Sequence, residues 1–350
     1  MEFYKLNTNT IHTSVYIYNW NFKLGYLVLL EKYFKIKRQG AEMLLRTGTT
    51  TVADIESLPE LIPQAWDATP LRVISFRELL NVKSRQPAAE IVERAVNDWL
   101  GLANSRGRVG LSPHAPYSTS RELLERAARA AQRRKWRLTT HVAESEEEFE
   151  MFMYRQGAMF DWLKPQRDMS DCGHGSPVQH LERCGYLDDN LLAVHANYLW
   201  RHDAGILGRN LVSVAHCPRS HDYFQHLRFA REELERAGVN VCLGTDSLAT
   251  TRKPREGELE LNLFAEMQAL SAGTPELSPE RILRMATVNG AQALGRKGEL
   301  GELAPNALAD LIAIPFGGGL ADVHEVIVQH PGAVAAAMIG GTWAIPPRPV

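Results

Sequence analysis

Five short apolar runs in this chain each end at a histidine or an aspartate. Each run has the length of a β-strand and is rich in Val, Leu and Thr, and helical stretches separate most of them. Alternating strands and helices predict a parallel sheet, and closure of that sheet gives an α/β fold of the (β/α)8, or TIM-type, barrel class. The runs are Val109–His114, Arg137–His141, Leu191–His195, Leu211–His216 and Val239–Asp246.

Further strands and a helix are predicted before and after these five runs. Thr47–Ile55 and Leu71–Ser75 predict two further strands, and Ala88–Leu102 predicts a helix with one apolar face. Gly298–Ile314 and Val326–Ile345 hold short strand-like pieces divided by Gly and Pro. They predict a small C-terminal β appendage outside the barrel.

The first 40 residues differ sharply in composition from the rest. They contain no Ala, Pro or Asp, yet they hold five of the ten tyrosines. Either the natural start was replaced or the chain carries a native aromatic extension, and the contrast favours replacement. We therefore expect an atypical segment over 1–38, a hydrolase barrel over 39–297 and a C-terminal helix and β appendage over 298–350.

Bulk properties exclude several classes of partner. A net charge of −2 over 350 residues gives no electrostatic reason to bind nucleic acid or an anionic membrane. Four cysteines without C-x-x-C spacing are typical of reduced thiols in a cytoplasmic protein. The apolar run Leu24–Leu30 is too short to span a bilayer. A small molecule is the expected partner, with association into a homodimer left open.

The strand-end residues supply metal-ligand chemistry. A neutral imidazole at His141 or His195 and a carboxylate at Asp246 are ligands that Zn and Fe accept. Glu144, three residues after His141, has the position of a proton shuttle. Each signal taken alone has an ordinary explanation. The pair of His141 and Glu144 could be incidental, His195 could be a structural histidine, and Asp246 could cap a helix. Together they are expected to meet, because strands of a barrel present their carboxyl ends at one face.

The remaining histidines carry weaker signals. His114 lies between two prolines that fix its loop, so it is a candidate for substrate binding or a structural turn residue. His216 is assigned a structural role. Seven others have no partner pattern and are expected at the surface: His174, His180, His202, His221, His226, His324 and His330.

Seven ordered motifs from about residue 39 to the C-terminus resemble the amidohydrolase superfamily, in its cytosine/guanine deaminase and chlorohydrolase branch. The match is specific at the level of superfamily and branch, and it does not name a substrate. The motifs are TGTTTVADI, LSPHAPYSTS, LTTHVAESEEE, LLAVHANYL, VAHCPRSH, VCLGTDSLAT and RILRMATVNGAQALG with ELGELAPNALADLIAI.

The resemblance implies a role for each matching position. His141 would ligate the metal from the fifth strand, and Glu144 would carry protons to the ring and leaving group. His195 would contact the metal-bound water or the metal, Asp246 would bind the metal and activate the water, and His114 would contact substrate. The implied activity is hydrolysis of a non-peptide C–N bond, as in deamination of a heteroaromatic amine, with one divalent ion, Zn favoured over Fe.

One departure from the family pattern is large. The His-x-His pair of the family's first strand is missing from this sequence. The most similar segment is 11–14, which contains only one histidine, His12. The first strand is therefore expected to be incomplete or replaced, and His141, His195 and Asp246 are left as the metal ligands. Two alternatives stay open: a dechlorinating or dealkylaminating hydrolase, and an impaired barrel without a complete metal site.

Overall fold

A computed structural model describes residues 22–82, 86–100, 102, 108–253 and 258–348. Seven parallel strands in chain order form one curled sheet, each pairing with the next. They are β1 Thr51–Glu56, β2 Arg72–Leu79, β3 Arg108–Pro113, β4 Arg137–Val142, β5 Leu191–His195, β6 Ser213–His216 and β7 Asn240–Leu243. The predicted class is confirmed, since helices connect parallel strands as in a TIM-type barrel.

Helices separate and cover the strands. Six of them pack directly on the strands β2, β3, β4, β6 and β7. The helices are α1 Phe22–Arg46, α2 Ile62–Asp67, α3 Ala88–Trp99, α4 Arg121–Arg134, α5 Glu146–Tyr154, α6 Ala158–Leu163, α7 Pro177–Arg183, α8 Asp203–Arg209, α9 Pro218–Phe224, α10 Arg231–Arg236, α11 Leu263–Gly273, α12 Pro279–Ala286, α13 Val288–Ala293 and α14 Val323–Val328. No described helix is long and apolar enough to cross a membrane.

The described part of the chain supplies seven of the eight barrel strands. Within it, β1 and β7 are the two ends of the sheet. The expectation of an incomplete or replaced first strand stays a prediction, since it concerns residues before the described ones. The segment 11–14 with His12, which the sequence offered as a remnant of that strand, lies outside them.

Strand register sorts the side chains into two layers. Leu192, Ala215 and Cys242 lie on the same face of neighbouring strands as His141, because His141 pairs with Val194, Val194 with Ala215 and Ala215 with Cys242. These three side chains pack with Ala293 as a separate buried cluster. Residues of the opposite face join the larger core under the helices. The candidate site therefore lies next to a closely packed layer of apolar side chains.

Glycine is needed where strand β3 passes an aromatic ring of β2. A Cβ added at Gly110 would stand 2.7 Å from the Phe76 ring and from the Arg137 carbonyl oxygen. Such a distance is far inside van der Waals contact. Gly110 therefore lets Phe76 fill the space between the two strands.

The compositionally distinct N-terminal segment is joined to the barrel by charge pairing. Helix α1 passes through the expected boundary at residues 38 and 39 without a break. From this helix Lys37 Nζ lies 2.8 Å from Asp54 Oδ2 and 3.2 Å from Glu56 Oε2, and Tyr33 donates to Glu56 at 2.7 Å. Both carboxylates belong to β1, so residues from the two compositions form one partly buried polar cluster.

The predicted C-terminal β appendage is confirmed as a small antiparallel sheet. It comprises β8 Leu311–Ala313, β9 Ala336–Ile339 and β10 Thr342–Ile345, in the order β10-β9-β8. A buried ion pair between Arg72 and Asp310, 3.0 Å long, ties it to β2. The four cysteines are free and buried, as expected for reduced thiols.

Asp203 at the start of α8 gives a pH-dependent stability that can be measured. It is fully buried and accepts hydrogen bonds from Ser176 Oγ and Trp200 N. Burial raises the pKa of its carboxyl from 3.8 to about 6. A raised carboxyl pKa means that the folded state loses stability as pH rises from about 4 to about 6. Asp203→Asn should abolish that loss, which corresponds to about 2–3 kcal/mol.

Urea unfolding of both proteins at pH 4, 5, 6 and 7 tests this expectation. The free energy of unfolding of the variant, relative to that of the wild type, should rise across the series. The exposed Asp189→Asn is the matched control and should show a constant difference. Parallel profiles for Asp203→Asn and wild type would contradict the assignment.

Candidate active site

Three of the predicted site residues lie at the carboxyl ends of strands of the same sheet. His141 is the penultimate residue of β4, His195 is the last residue of β5, and Asp246 follows β7 by three residues. The His141 and His195 rings are stacked, with centroids 5.5 Å apart and planes at 27°. The convergence expected from the strand ends is therefore present.

The backbone at these strand ends adopts conformations that non-glycine residues rarely occupy. Ala143, His195, Ala196 and Asp246 all have positive φ, between 51° and 75°. Each such residue costs of the order of 1 kcal/mol, and strain of this kind concentrates at functional sites. Hydrogen bonds from Ala196 and Asn197 amides to the carbonyls of Val142 and Ala143, at 3.0 and 2.9 Å, hold the turns together.

A compact donor set stands at the centre of the site. One ligand atom each from Glu144, His195 and Asp246 lies within 4.8 Å of the other two, and this is the one such group found among the described residues. His195 Nε2 is 3.5 Å from Glu144 Oε1. Two carboxylates and one imidazole placed this closely form a set that fits a divalent cation, which offsets their mutual repulsion.

His141 stands beside this trio rather than within it. Its Nδ1 lies 2.8 Å from the His114 carbonyl oxygen. Because a carbonyl only accepts, Nδ1 carries the proton, and in the neutral ring Nε2 keeps its lone pair for a metal. The ring is also 5.0 Å from the His114 ring, so all five residues predicted for the site lie in one neighbourhood.

The electrostatics favour a neutral imidazole and an ionised carboxylate. Burial lowers the pKa of His195, despite the opposing effect of Glu144. Burial alone would raise the pKa of Asp246, but His195, the Ser220 hydrogen bond and His141 together hold it below its ordinary value. Both groups are therefore in the protonation states that metal binding needs at neutral pH.

Hydrogen bonds from one distant and one adjacent residue orient Asp246. Its Oδ2 accepts from Ser220 Oγ and its Oδ1 accepts from Ser247 N, both at 2.7 Å. Ser220 is fully buried, and its neighbour Arg219 is held by the buried Glu266 through a 2.6 Å ion pair. Sequence reasoning missed Ser220, and the only local signal was its place in the VAHCPRSH motif.

Several histidines lie elsewhere than the sequence predicted. His180 and His330 are buried, so their expected surface position is wrong. His221 is half-buried, and its Nδ1 lies 3.1 Å from Asn197 Oδ1 beside the site. His216, assigned a structural role, is buried and stacks on Phe229 with ring centroids 4.0 Å apart. Its burial lowers its pKa well below the ordinary value.

Comparison with known proteins identifies the family. The sequence profile described as "Amidohydrolase family" matches residues 18–344. The chain belongs to the amidohydrolase family. This confirms the resemblance inferred from the seven motifs.

Two curated relatives are similar to most of this chain. A 5-methylthioadenosine/S-adenosylhomocysteine deaminase of Syntrophobacter fumaroxidans is 32% identical over 288 residues, covering 79% of this chain and 60% of the relative. A 5'-deoxyadenosine deaminase of Methanothermobacter thermautotrophicus is 28% identical over 285 residues, covering 79% and 61%. The chain thus spans about three fifths of the length of these two relatives.

A similar solved structure is an adenosine deaminase from Xanthomonas campestris with bound zinc. It superposes with a TM-score of 0.76 at 22% identity, over 90% of this chain and 70% of that one. At this identity the similarity establishes the fold, and it agrees with the curled sheet and helices described above.

Proposed function

We propose that this amidohydrolase is a metal-dependent hydrolase that removes the exocyclic amino group of an adenine-type ring and releases ammonia. The observation that carries the proposal is the convergence of Glu144, His195 and Asp246 at the strand ends, with His141 alongside. Both curated relatives are deaminases of adenosine derivatives, which supports the same ring chemistry.

His141, His195 and Asp246 are the residues proposed to hold the metal. Catalytic zinc sites use three protein ligands and leave one position open, so these three suffice in number without the missing His-x-His pair. Two imidazoles and a carboxylate suit zinc, which we favour over iron. The bound cation would act as a Lewis acid that lowers the pKa of water to about 7.

The chain's own residues would move the protons. Asp246, kept ionised by its surroundings, would accept a proton from the attacking water. Glu144, with about a quarter of its side chain exposed, would transfer protons to the ring nitrogen and to the departing amine. His114, fixed between prolines and hydrogen-bonded through Nδ1 to Ser118 Oγ at 2.7 Å, would contact the ring.

We infer an adenine nucleoside with a modified 5′ position as the substrate class. The alternatives of dechlorination or dealkylamination use the same residues, because they differ only in the group that leaves the ring. The third alternative, an impaired barrel, follows from the missing first-strand ligands. It predicts that the described residues keep the scaffold but hold no metal.

Metal analysis combined with product analysis distinguishes these alternatives. Protein purified after growth with zinc should contain about one metal ion per chain. It should release ammonia from 5′-deoxyadenosine or S-adenosylhomocysteine, more slowly or not at all from free adenine. Chelation should abolish release, and zinc should restore it.

Other outcomes would contradict the proposal. Chloride release from a chlorinated triazine without ammonia release from the nucleosides would favour the dechlorinating alternative. Metal-free protein after zinc supplementation, with no ammonia from either nucleoside, would support the impaired barrel.

A further inference from the structure

The first turn of α5 contains a buried carboxyl group that the proposed mechanism does not use. Glu148 is fully buried, whereas its neighbours Glu146 and Glu147 are exposed. One of its oxygens, Oε2, accepts a hydrogen bond from the Glu144 amide at 2.9 Å. The other, Oε1, has no hydrogen-bond partner among the described residues. An incompletely paired buried carboxyl destabilises a fold, so we expect Glu148 to serve a function that offsets this cost.

A second buried side chain, that of Asn197, holds the Glu144 backbone at its carbonyl group. The Glu144 carbonyl accepts from Asn197 Nδ2 at 3.0 Å, so both polar groups of this residue's backbone are bonded to buried side chains. The preceding residue, Ala143, has a φ of 51° and accepts hydrogen bonds at its carbonyl from the amides of Asn197 and Tyr198, each at 2.9 Å. The turn is therefore strained and fixed by residues outside it.

Glu148 is itself anchored. Its amide donates to Ser145 Oγ, which caps α5 at 3.3 Å. Burial raises the pKa of its carboxyl to about 8. A rigid helix start thus presents an acceptor oxygen to the Glu144 amide. Small errors in the aim of a proton-transfer group reduce the rate strongly, since such groups act within about 3 Å of their target.

We propose that Glu148 is a positioning residue: it fixes the Glu144 backbone and so aims the Glu144 carboxylate at the site shared with His195 and Asp246. This inference rests on the proposed function, because it assigns Glu144 the proton-transfer role. It adds a residue that touches neither substrate nor metal.

The test uses three variants of Glu148 and one control in the full chain. Glu148→Gln keeps an acceptor oxygen at the same reach, Glu148→Met removes it, and Glu148→Asp withdraws it by one methylene. Glu147→Met makes the same chemical change at the exposed neighbouring position. The measurements are kcat and KM for ammonia release, zinc content, and hydrogen exchange of the peptide over 142–149.

Glu148→Met and Glu148→Asp are expected to lower kcat about 30- to 300-fold, with KM within about threefold and zinc content unchanged. Exchange over 142–149 should accelerate in both. Glu148→Gln should stay within about fivefold of wild-type kcat, and Glu147→Met should match the wild type. A near-normal kcat in Glu148→Gln would show that the loss in the other variants comes from the missing acceptor oxygen rather than from a general loss of packing. If Glu148→Met does not fold, Glu148→Asp still tests the inference.

Three results would overturn the inference: an unchanged kcat in the Asp and Met variants, an equal loss in Gln and Asp, or an effect confined to KM. If the wild type releases no ammonia, the proposed function fails. The exchange measurement then still decides whether Glu148 holds the Glu144 amide, since unchanged exchange in Glu148→Asp would contradict it.

Discussion

Glu144→Gln is expected to lower kcat for ammonia release about a thousandfold while the protein keeps its metal. Glutamine preserves the size of the side chain and its place near His195, but it cannot accept and return a proton at neutral pH. The measurement is steady-state turnover of 5′-deoxyadenosine together with zinc content of the same preparation. The retained zinc is as informative as the lost turnover.

The geometry makes this test sharp, because the compact donor trio contains Glu144 rather than His141. If Glu144 were itself a ligand, the variant would lose zinc together with activity, and its proton-transfer role would be wrong. Glu146→Gln is the matched control, since Glu146 is exposed two residues along the chain. It should leave both turnover and zinc unchanged.

Asp246→Asn is expected to weaken zinc binding at least about a hundredfold and to abolish measurable turnover. The amide is neutral, so the site loses the one negative charge that we assign both to the metal and to proton acceptance. Asparagine can still accept one of the hydrogen bonds that Ser220 and Ser247 give to Asp246. The fold should therefore survive, with an unchanged thermal midpoint in the zinc-free state.

Competition titration with a chromophoric zinc chelator measures the affinity of wild type and variant. Asp222→Asn serves as control, because Asp222 is exposed and belongs to the same helix as Ser220. Zinc affinity within about threefold of wild type in Asp246→Asn would show that this carboxylate is not a ligand. Turnover in that variant at zinc saturation would exclude it as the proton acceptor.

Local pattern was sufficient to predict the strands. Arg137–His141 and Leu191–His195 match β4 and β5 to within one residue, because strands buried on both faces are rich in aliphatic and β-branched residues such as Leu, Val and Thr. The ends of those strands then selected His141, His195 and Asp246. The parallel arrangement that brings strand ends together follows from the helical connections between successive strands, which are also visible in the sequence.

The supporting residues depended on the tertiary structure. Ser220 and Asp246 are 26 residues apart and Asn197 and Glu144 are 53 apart, so neither hydrogen bond leaves a local pattern. Burial of Glu148 next to the exposed Glu146 and Glu147 likewise depends on what packs over α5. Such contacts form only when distant strands curl into one sheet. The sequence alone determined which residues could bind a cation, and the folded chain decided which groups hold them in position.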